Sequence, residues 1–233
     1  MTSSASLTHV GRVRSVNEDS VLATEDLWVV CDGLGGHDGG EHASRVAAET
    51  VVELAVPAEG ADSLVTAIRA AHERVVERGL ELGIPIMVTT VVAASRQADR
   101  GEVTVAWVGD SRAYLLEDGD LRPVTVDHNE AAELLRRGYL TPEEARLSPA
   151  QAWLTRSLGG GHTEAPEVDT VTLPARGRLL LCSDGLTAEL DDSRIRNLLG
   201  RGTPEEACRA LVEAAVDAGG SDNVTVVVVD LDA

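Results

Sequence analysis

The sequence predicts an α+β fold in which antiparallel sheets are covered by helices. Three observations carry this. Apolar stretches of strand character follow one another from 87 to 118 with no helix between them, and the helical patterns come in pairs. The runs RLLLC (178–182) and VTVVVV (224–229) are almost continuously apolar, as strands buried on both faces are.

LWVVCD (27–32) is a short apolar run that ends in Asp and opens into the glycine-rich GLGGHDGG, which reads as a strand entering a turn. A helix follows over 41–55, where Ala43, Val46, Ala47, Val51 and Leu54 keep helical spacing, and a second helix fits Leu64, Ile68, Ala71, Val75 and Val76. Pro57 and Gly60 separate the two. Residues 87–95, 102–110 and 112–118 are strand candidates, rich in β-branched or aromatic side chains and bounded by polar turns.

The period then changes. Within 127–157 lie two short helical patterns, EAAELLRRG and TPEEARL, the second with Thr141 as N-cap and Pro142 at the first helical position. Strands resume at EVDTVTL and RLLLCSD, helices fit DDSRIRNLL and TPEEACRALVEAAVDA, and VTVVVVDL supplies the last strand. With neither repeat nor linker, residues 1–233 read as one domain.

Composition excludes several functions. Twenty Lys and Arg stand against 39 Asp and Glu, a formal charge of −19, which opposes contact with nucleic-acid phosphates or anionic lipid. The first residues lack the apolar core of a secretion signal and no stretch of 18 apolar residues occurs, so a cytoplasmic protein is expected. The three cysteines form no CxxC pair and read as buried thiols in a reducing compartment. With three Trp, two Tyr and no Phe, Val, Leu and Ala must fill the core, and base-stacking platforms are not expected.

The chemistry sits at strand ends. Asp32 (VVCDG), Asp110 (WVGDS), Asp184 (LLCSDG) and Asp222 (before VTVVVV) each stand where an apolar run meets a turn, and Glu18-Asp19 adds two carboxylates. Asp beside Gly is a good turn former at any single site. Recurring at four strand ends, it instead suits hard divalent cations, which take oxygen ligands from rigid elements.

These residues also carry a family resemblance. Arg14-Ser-Val-Asn17-Glu18-Asp19, Asp32-Gly33-Leu34-Gly35-Gly36, Gly109-Asp110-Ser111-Arg112, Ser183-Asp184-Gly185 and Ser221-Asp222-Asn223-Val224-Thr225 occur in the order found in the metal-dependent protein serine/threonine phosphatases (PPM, type 2C), in their compact bacterial form. Each motif alone is weak, and five in order are highly specific. The resemblance implies a four-layer α-β-β-α sandwich of two antiparallel sheets flanked by helices, with Mg²⁺ or Mn²⁺ in a cleft at one end and a variable flap at about 127–153.

Carried over position by position, Asp32 would bridge two metals and the Gly33 carbonyl would bind one. Asp184 and Asp222 would complete one shell, and Glu18 and Asp19 would act directly or through water. Asp110 with Asp184 matches a third-metal position, and Arg14 the phosphate-binding arginine. The implied reaction is hydrolysis of phosphoserine or phosphothreonine in proteins by a metal-activated water, without a phosphoenzyme. The implied partners are phosphorylated proteins, among them Ser/Thr kinases and their substrates, and a monomer is expected.

The chain departs from the family at three places. Leu34 replaces the His that follows the Asp-Gly pair in animal relatives, so that proton donor is missing; His37, three residues on, is either a substitute or an ordinary loop residue. Val88 stands where a Gly precedes the Thr pair, and Ser148-Pro149-Ala150-Gln151-Ala152 loses a basic residue in the flap. Arg136, Arg137 and Arg146 are candidate replacements or plain surface charges. His9, His42, His72, His128 and His162 show no paired ligand spacing and read as structural or solvent-facing. A non-catalytic module that senses phosphoproteins is the alternative, opposed by the retained carboxylates. A Ca²⁺-binding structural protein would need DxDxDG spacing, which is absent.

Overall fold

Successive side chains of a strand point to opposite faces, and the run from Leu27 to Asp32 is apolar on both, so it needs cover on both. The computed structural model, which describes residues 2–35, 39–84, 86–160 and 164–231, supplies that cover. Val29 and Cys31 pack beneath helices, while Trp28 and Val30 pack against a second sheet.

In chain order the strands are β1 (Ser3–His9), β2 (Asp19–Ala23), β3 (Leu27–Leu34), β4 (Val88–Thr89), β5 (Val91–Gln97), β6 (Glu102–Val108), β7 (Arg112–Glu117), β8 (Asp120–Pro123), β9 (Leu158–Gly159), β10 (Asp169–Pro174), β11 (Arg178–Cys182) and β12 (Val224–Asp230). The helices are α1 (Gly39–Leu54), α2 (Ala61–Leu82), α3 (Glu130–Arg136), α4 (Pro142–Arg146), α5 (Asp184–Glu189), α6 (Asp192–Leu199) and α7 (Pro204–Ala218). One sheet has the order β1-β12-β11-β7-β8; the other runs β10-β6-β5-β3-β4-β9, with β2 also paired to β3, and every pairing is antiparallel.

Three apolar clusters separate four layers. One lies between α1, α2 and the β3-β5-β6 face, one between the two sheets, and one between α5, α6, α7 and the β7-β11-β12 face. Strand β12 shows why its sequence is continuously apolar: Val227 and Val229 face the other sheet, and Val226 and Val228 face the helices. The expected α-β-β-α sandwich is the fold.

Some elements differ from expectation. Strand β1 is polar and largely exposed, so nothing in SSASLTH marks it as a strand; it gains its order from pairing along β12. The stretch 87–95 is not one strand but two, broken at Thr90, whose N–H donates to Asp32 O (2.9 Å) while its Oγ1 accepts from Asp32 N–H (3.1 Å). Val88 sits in regular strand opposite Leu34. The two helices expected in the flap form, with a complete capping box at Thr141 and Glu144. All three cysteines are free and buried, and burial pushes the Cys31 and Cys182 thiols up, away from reactive thiolate.

Candidate metal centre

The two sheets bring their acidic strand ends to the same end of the sandwich. In the helix-covered sheet that holds β3, Asp19 and Asp32 are cross-strand partners on β2 and β3, and Asp110 follows β6. In the other sheet, Asp184 opens α5 just beyond β11, and Asp222 precedes β12, the neighbour of β11.

Asp19 is 8% exposed, and its two oxygens have different fates. Oδ2 accepts from Ser183 Oγ (2.8 Å) and Thr225 Oγ1 (2.6 Å), while Oδ1 is buried without a hydrogen-bond partner. Behind Thr225, Thr8 Oγ1 lies 2.7 Å from its hydroxyl and accepts from Asn17 Nδ2 (2.8 Å). Burial raises the Asp19 carboxyl to about 7, opposed by the Thr225 and Ser183 hydroxyls.

Glu18 is 7% exposed, and its Oε1 is also buried with no hydrogen-bond partner. Its backbone is held by Asn223 Oδ1, which accepts from Glu18 N–H (2.8 Å), and by Ser44 Oγ, which donates to Glu18 O (2.6 Å). Two glycines make the room. A Cβ on Gly40 would stand 2.4 Å from Glu18 Oε1, and one on Gly33 2.2 Å from Gly40 O. Gly33 and Gly40 therefore permit a close approach of α1 to the carboxylates.

Burial and then the charges of Asp19, Asp184, Asp110 and Asp222 push Asp32 well above the usual carboxylate range. Burial and Asp222 raise Asp184, and a hydrogen bond with Asp32 opposes the rise. Asp110 reaches about 7 through burial, Asp184 and Asp127. Asp222 pairs with Arg14, whose Nη2 lies 2.7 Å from Oδ2.

Among the described residues, no three His, Cys, Asp or Glu side chains already enclose one point. The carboxylates stand instead as electrostatic neighbours: burial and the charges around them raise Asp19, Asp32, Asp110 and Asp184 above the usual carboxylate range. Hard oxygen donors, two orphaned buried oxygens and mutual repulsion fit Mg²⁺ or Mn²⁺.

The other candidates are placed as follows. Arg136 and Arg137 both pair with Glu133, and Arg146 pairs with Glu143, so the flap arginines serve local ion pairs. His9 and His42 make local contacts through Nδ1, and the buried His72 Nδ1 accepts from the Gly159 N–H (3.1 Å) on β9. His37 and His162 lie outside the described residues. The bidentate pair of Arg112 with Asp127 (2.8 and 2.6 Å) was not foreseen, nor was Ser44; neither stands in an apolar pattern that would reveal its partner. A cavity of about 580 Å³ lies between the flap helices and the start of α6, with Arg112 and Asn129 at its wall.

Two helix-covered sheets with carboxylates gathered at one end define a class, and comparison with known proteins gives the same one. The protein phosphatase 2C family model matches residues 10–215, and the chain belongs to that family. It is 37% identical over 225 residues to the serine/threonine protein phosphatase PstP of Mycobacterium tuberculosis, a match covering 95% of this chain and 43% of the relative, so the chain spans less than half of that protein's length. It is 35% identical to the serine/threonine phosphatase stp of Listeria monocytogenes, over 95% of this chain and 93% of the relative. The crystal structure of the PstP catalytic domain in complex with two manganese ions superposes with a TM-score of 0.88 at 34% identity, covering 98% of this chain and 97% of that one.

Proposed function

We propose that this chain is a metal-dependent protein serine/threonine phosphatase, with residues 1–233 as one catalytic domain and the flap at about 127–153. The observation that carries the reading is the buried, unpartnered Asp19 Oδ1 beside the mutually repelling Asp32, Asp184 and Asp222. Membership of the phosphatase family and likeness to a structure with two manganese ions support it.

Asp32, Asp184, Asp222, Glu18, Asp19 and the Gly33 carbonyl would hold two Mg²⁺ or Mn²⁺ ions, and Asp110 with Asp184 a third. When bound, such ions lower the pKa of water toward neutrality and offset charge on phosphoryl oxygens. Asp32 would anchor the centre because it stands on a strand covered on both faces and interacts with four other carboxylates. Ser183 and Thr225 hold Asp19 by Oδ2 and leave Oδ1 free to take a cation. Arg14, held by its ion pair with Asp222, would present a guanidinium fork suited to phosphate oxygens. Leu34 has no proton to give, so the leaving serine oxygen would take its proton from another donor, either solvent or a water acidified by a bound cation.

The substrates in this reading are phosphorylated proteins, including Ser/Thr kinases and their targets, and the enzyme works as a cytoplasmic monomer. No helix among the described residues is long and apolar enough to cross a membrane, which is compatible with that placement. A phosphopeptide assay tests the proposal. Turnover of phosphoserine and phosphothreonine peptides that requires Mn²⁺ or Mg²⁺ and stops with EDTA is expected; binding without turnover would favour the phosphoprotein-sensing module.

A further inference from the structure

Gly109 holds a backbone angle of φ +110°, and a Cβ there would lie 2.6 Å from Thr90 Cβ, so the turn before Asp110 carries no side chain of its own to anchor it. Both polar groups of Gly109 go to one residue. Its N–H donates to His128 Nδ1 (3.1 Å), and its carbonyl accepts from the His128 N–H (2.9 Å). That carbonyl belongs to the peptide joining Gly109 to Asp110, so His128 sets the plane from which the Asp110 side chain departs.

The His128 ring is itself fixed. It is 6% exposed and stacks on Trp107 with centroids 6.1 Å apart and planes 20° apart. Accepting from Gly109 leaves Nδ1 without hydrogen, so the ring hydrogen sits on Nε2 and donates to Asp169 Oδ2 (3.1 Å). Arg156 Nη1 donates to the other oxygen of Asp169 (3.1 Å); it also lies 3.3 Å from Nε2, donor facing donor, so it acts on the ring through Asp169.

His128 also stands at the root of the flap. Its carbonyl accepts from Thr155 N–H (2.8 Å), and the next rungs are the Asn129–Leu154 bridge and the bond from Glu130 N–H to Trp153 O (2.9 Å). The two ends of the flap close on the residue that holds Gly109.

We propose that His128 is a positioning residue for the metal centre: it clamps Gly109, orients Asp110 and ties the root of the flap to that carboxylate. The inference rests on the reading of Asp110 as a ligand of the third ion. Partners one step behind a ligand commonly govern metal affinity by about 10- to 100-fold.

The test compares His128→Leu, which removes the acceptor, with His128→Asn, whose Oδ1 takes the place of Nδ1. Mn²⁺ binding is followed by calorimetry and Gly109 amide exchange by NMR, with folding checked by circular dichroism in EDTA. His128→Leu is expected to weaken the weakest Mn²⁺ event and to speed Gly109 exchange, each by about tenfold or more, with His128→Asn restoring both to within about threefold. In the Asp110→Ala background, His128→Leu should weaken Mn²⁺ no further. Should His128→Leu fail to fold, Asp169→Ala, which frees the ring but keeps Nδ1, is expected to give a smaller loss of the same kind.

Unchanged Gly109 exchange in folded His128→Leu would overturn the clamp. Faster exchange with an unaltered isotherm, where Asp110→Ala does weaken Mn²⁺, would overturn the positioning role. If Asp110→Ala itself leaves the isotherm unaltered, the third-ion reading fails and takes this proposal with it, whatever the exchange data show.

Discussion

Thr225 Oγ1 donates a 2.6 Å hydrogen bond to Asp19 Oδ2, and this contact joins the β12 strand of one sheet to the β2 strand of the other at the acidic end of the sandwich. The acceptor is a buried carboxylate that burial raises to about 7, so the hydroxyl does most for its ionised form. Replacing Thr225 by Val keeps the shape and removes the donor. Metal-free stability above neutral pH is expected to fall by about 1.5–3 kcal/mol, the usual worth of a hydrogen bond to a charged group, in urea unfolding. A loss below about 0.5 kcal/mol would mean that Ser183 alone suffices.

The pH dependence of metal-free stability follows from Asp19 and Asp110, both raised to about 7 with burial as the first cause. Between the ordinary carboxylate range and 7 the folded chain holds protons that the unfolded chain has released. Their contribution is therefore full at low pH and is lost as pH rises through about 7. In EDTA, Tm is expected to fall as pH rises from the ordinary carboxylate range to about 7 and to level off above it, and Mn²⁺ should restore more of it at the higher pH. Asp110→Asn should flatten the slope; an unchanged slope would show that Asp110 is ionised in the apo protein.

Arg14 pairs with Asp222 at 2.7 Å and is about half exposed, so it stands beside the carboxylates without being part of the core. Arg14→Ala is expected to raise KM for a phosphopeptide by about 10- to 100-fold, one charged contact to phosphate, while Mn²⁺ affinity does not fall. Wild-type KM and kcat/KM would remove Arg14 from the substrate site.

What could be read in advance depended on how local its cause was. Asp32 was legible because VVCDG shows an apolar strand delivering a carboxylate to a glycine, although β3 runs on to Leu34 before it ends, and the doubly buried β12 declares itself through VTVVVV. Strand β1 was not legible, because its order comes from β12, more than 200 residues away in the chain, and its side chains stay exposed. The break at Thr90 is likewise set by Asp32 on another strand. His128 read as an isolated histidine, since its partners Gly109 and Asp169 lie far off in sequence on β-strand ends. The orphaned Asp19 Oδ1 has no mark in the sequence at all; only packing decides which oxygen Ser183 and Thr225 leave free.

Asp110 separates two kinds of damage. If the third ion supplies the proton for the leaving oxygen, Asp110→Ala should retain two bound Mn²⁺ and lose more turnover on a phosphoserine peptide than on para-nitrophenyl phosphate, whose leaving group is a stabilised phenolate. The difference is expected to be about tenfold or more. Equal losses would point to general disturbance of the site, and no loss would make Asp110 a turn residue.

The central claim is that the carboxylates gathered around Asp32 exist to hold divalent cations, and calorimetric titration of Asp32→Ala with Mn²⁺ tests it most directly. Removing Asp32 also relieves repulsion from Asp19, Asp184, Asp110 and Asp222, so the metal-free variant should fold at least as stably as the wild type. The expected result is a folded protein whose Mn²⁺ affinity has dropped by about 100-fold or more and whose phosphopeptide turnover is lost. A folded Asp32→Ala protein that binds Mn²⁺ as tightly as the wild type and still turns over phosphopeptide would contradict the account.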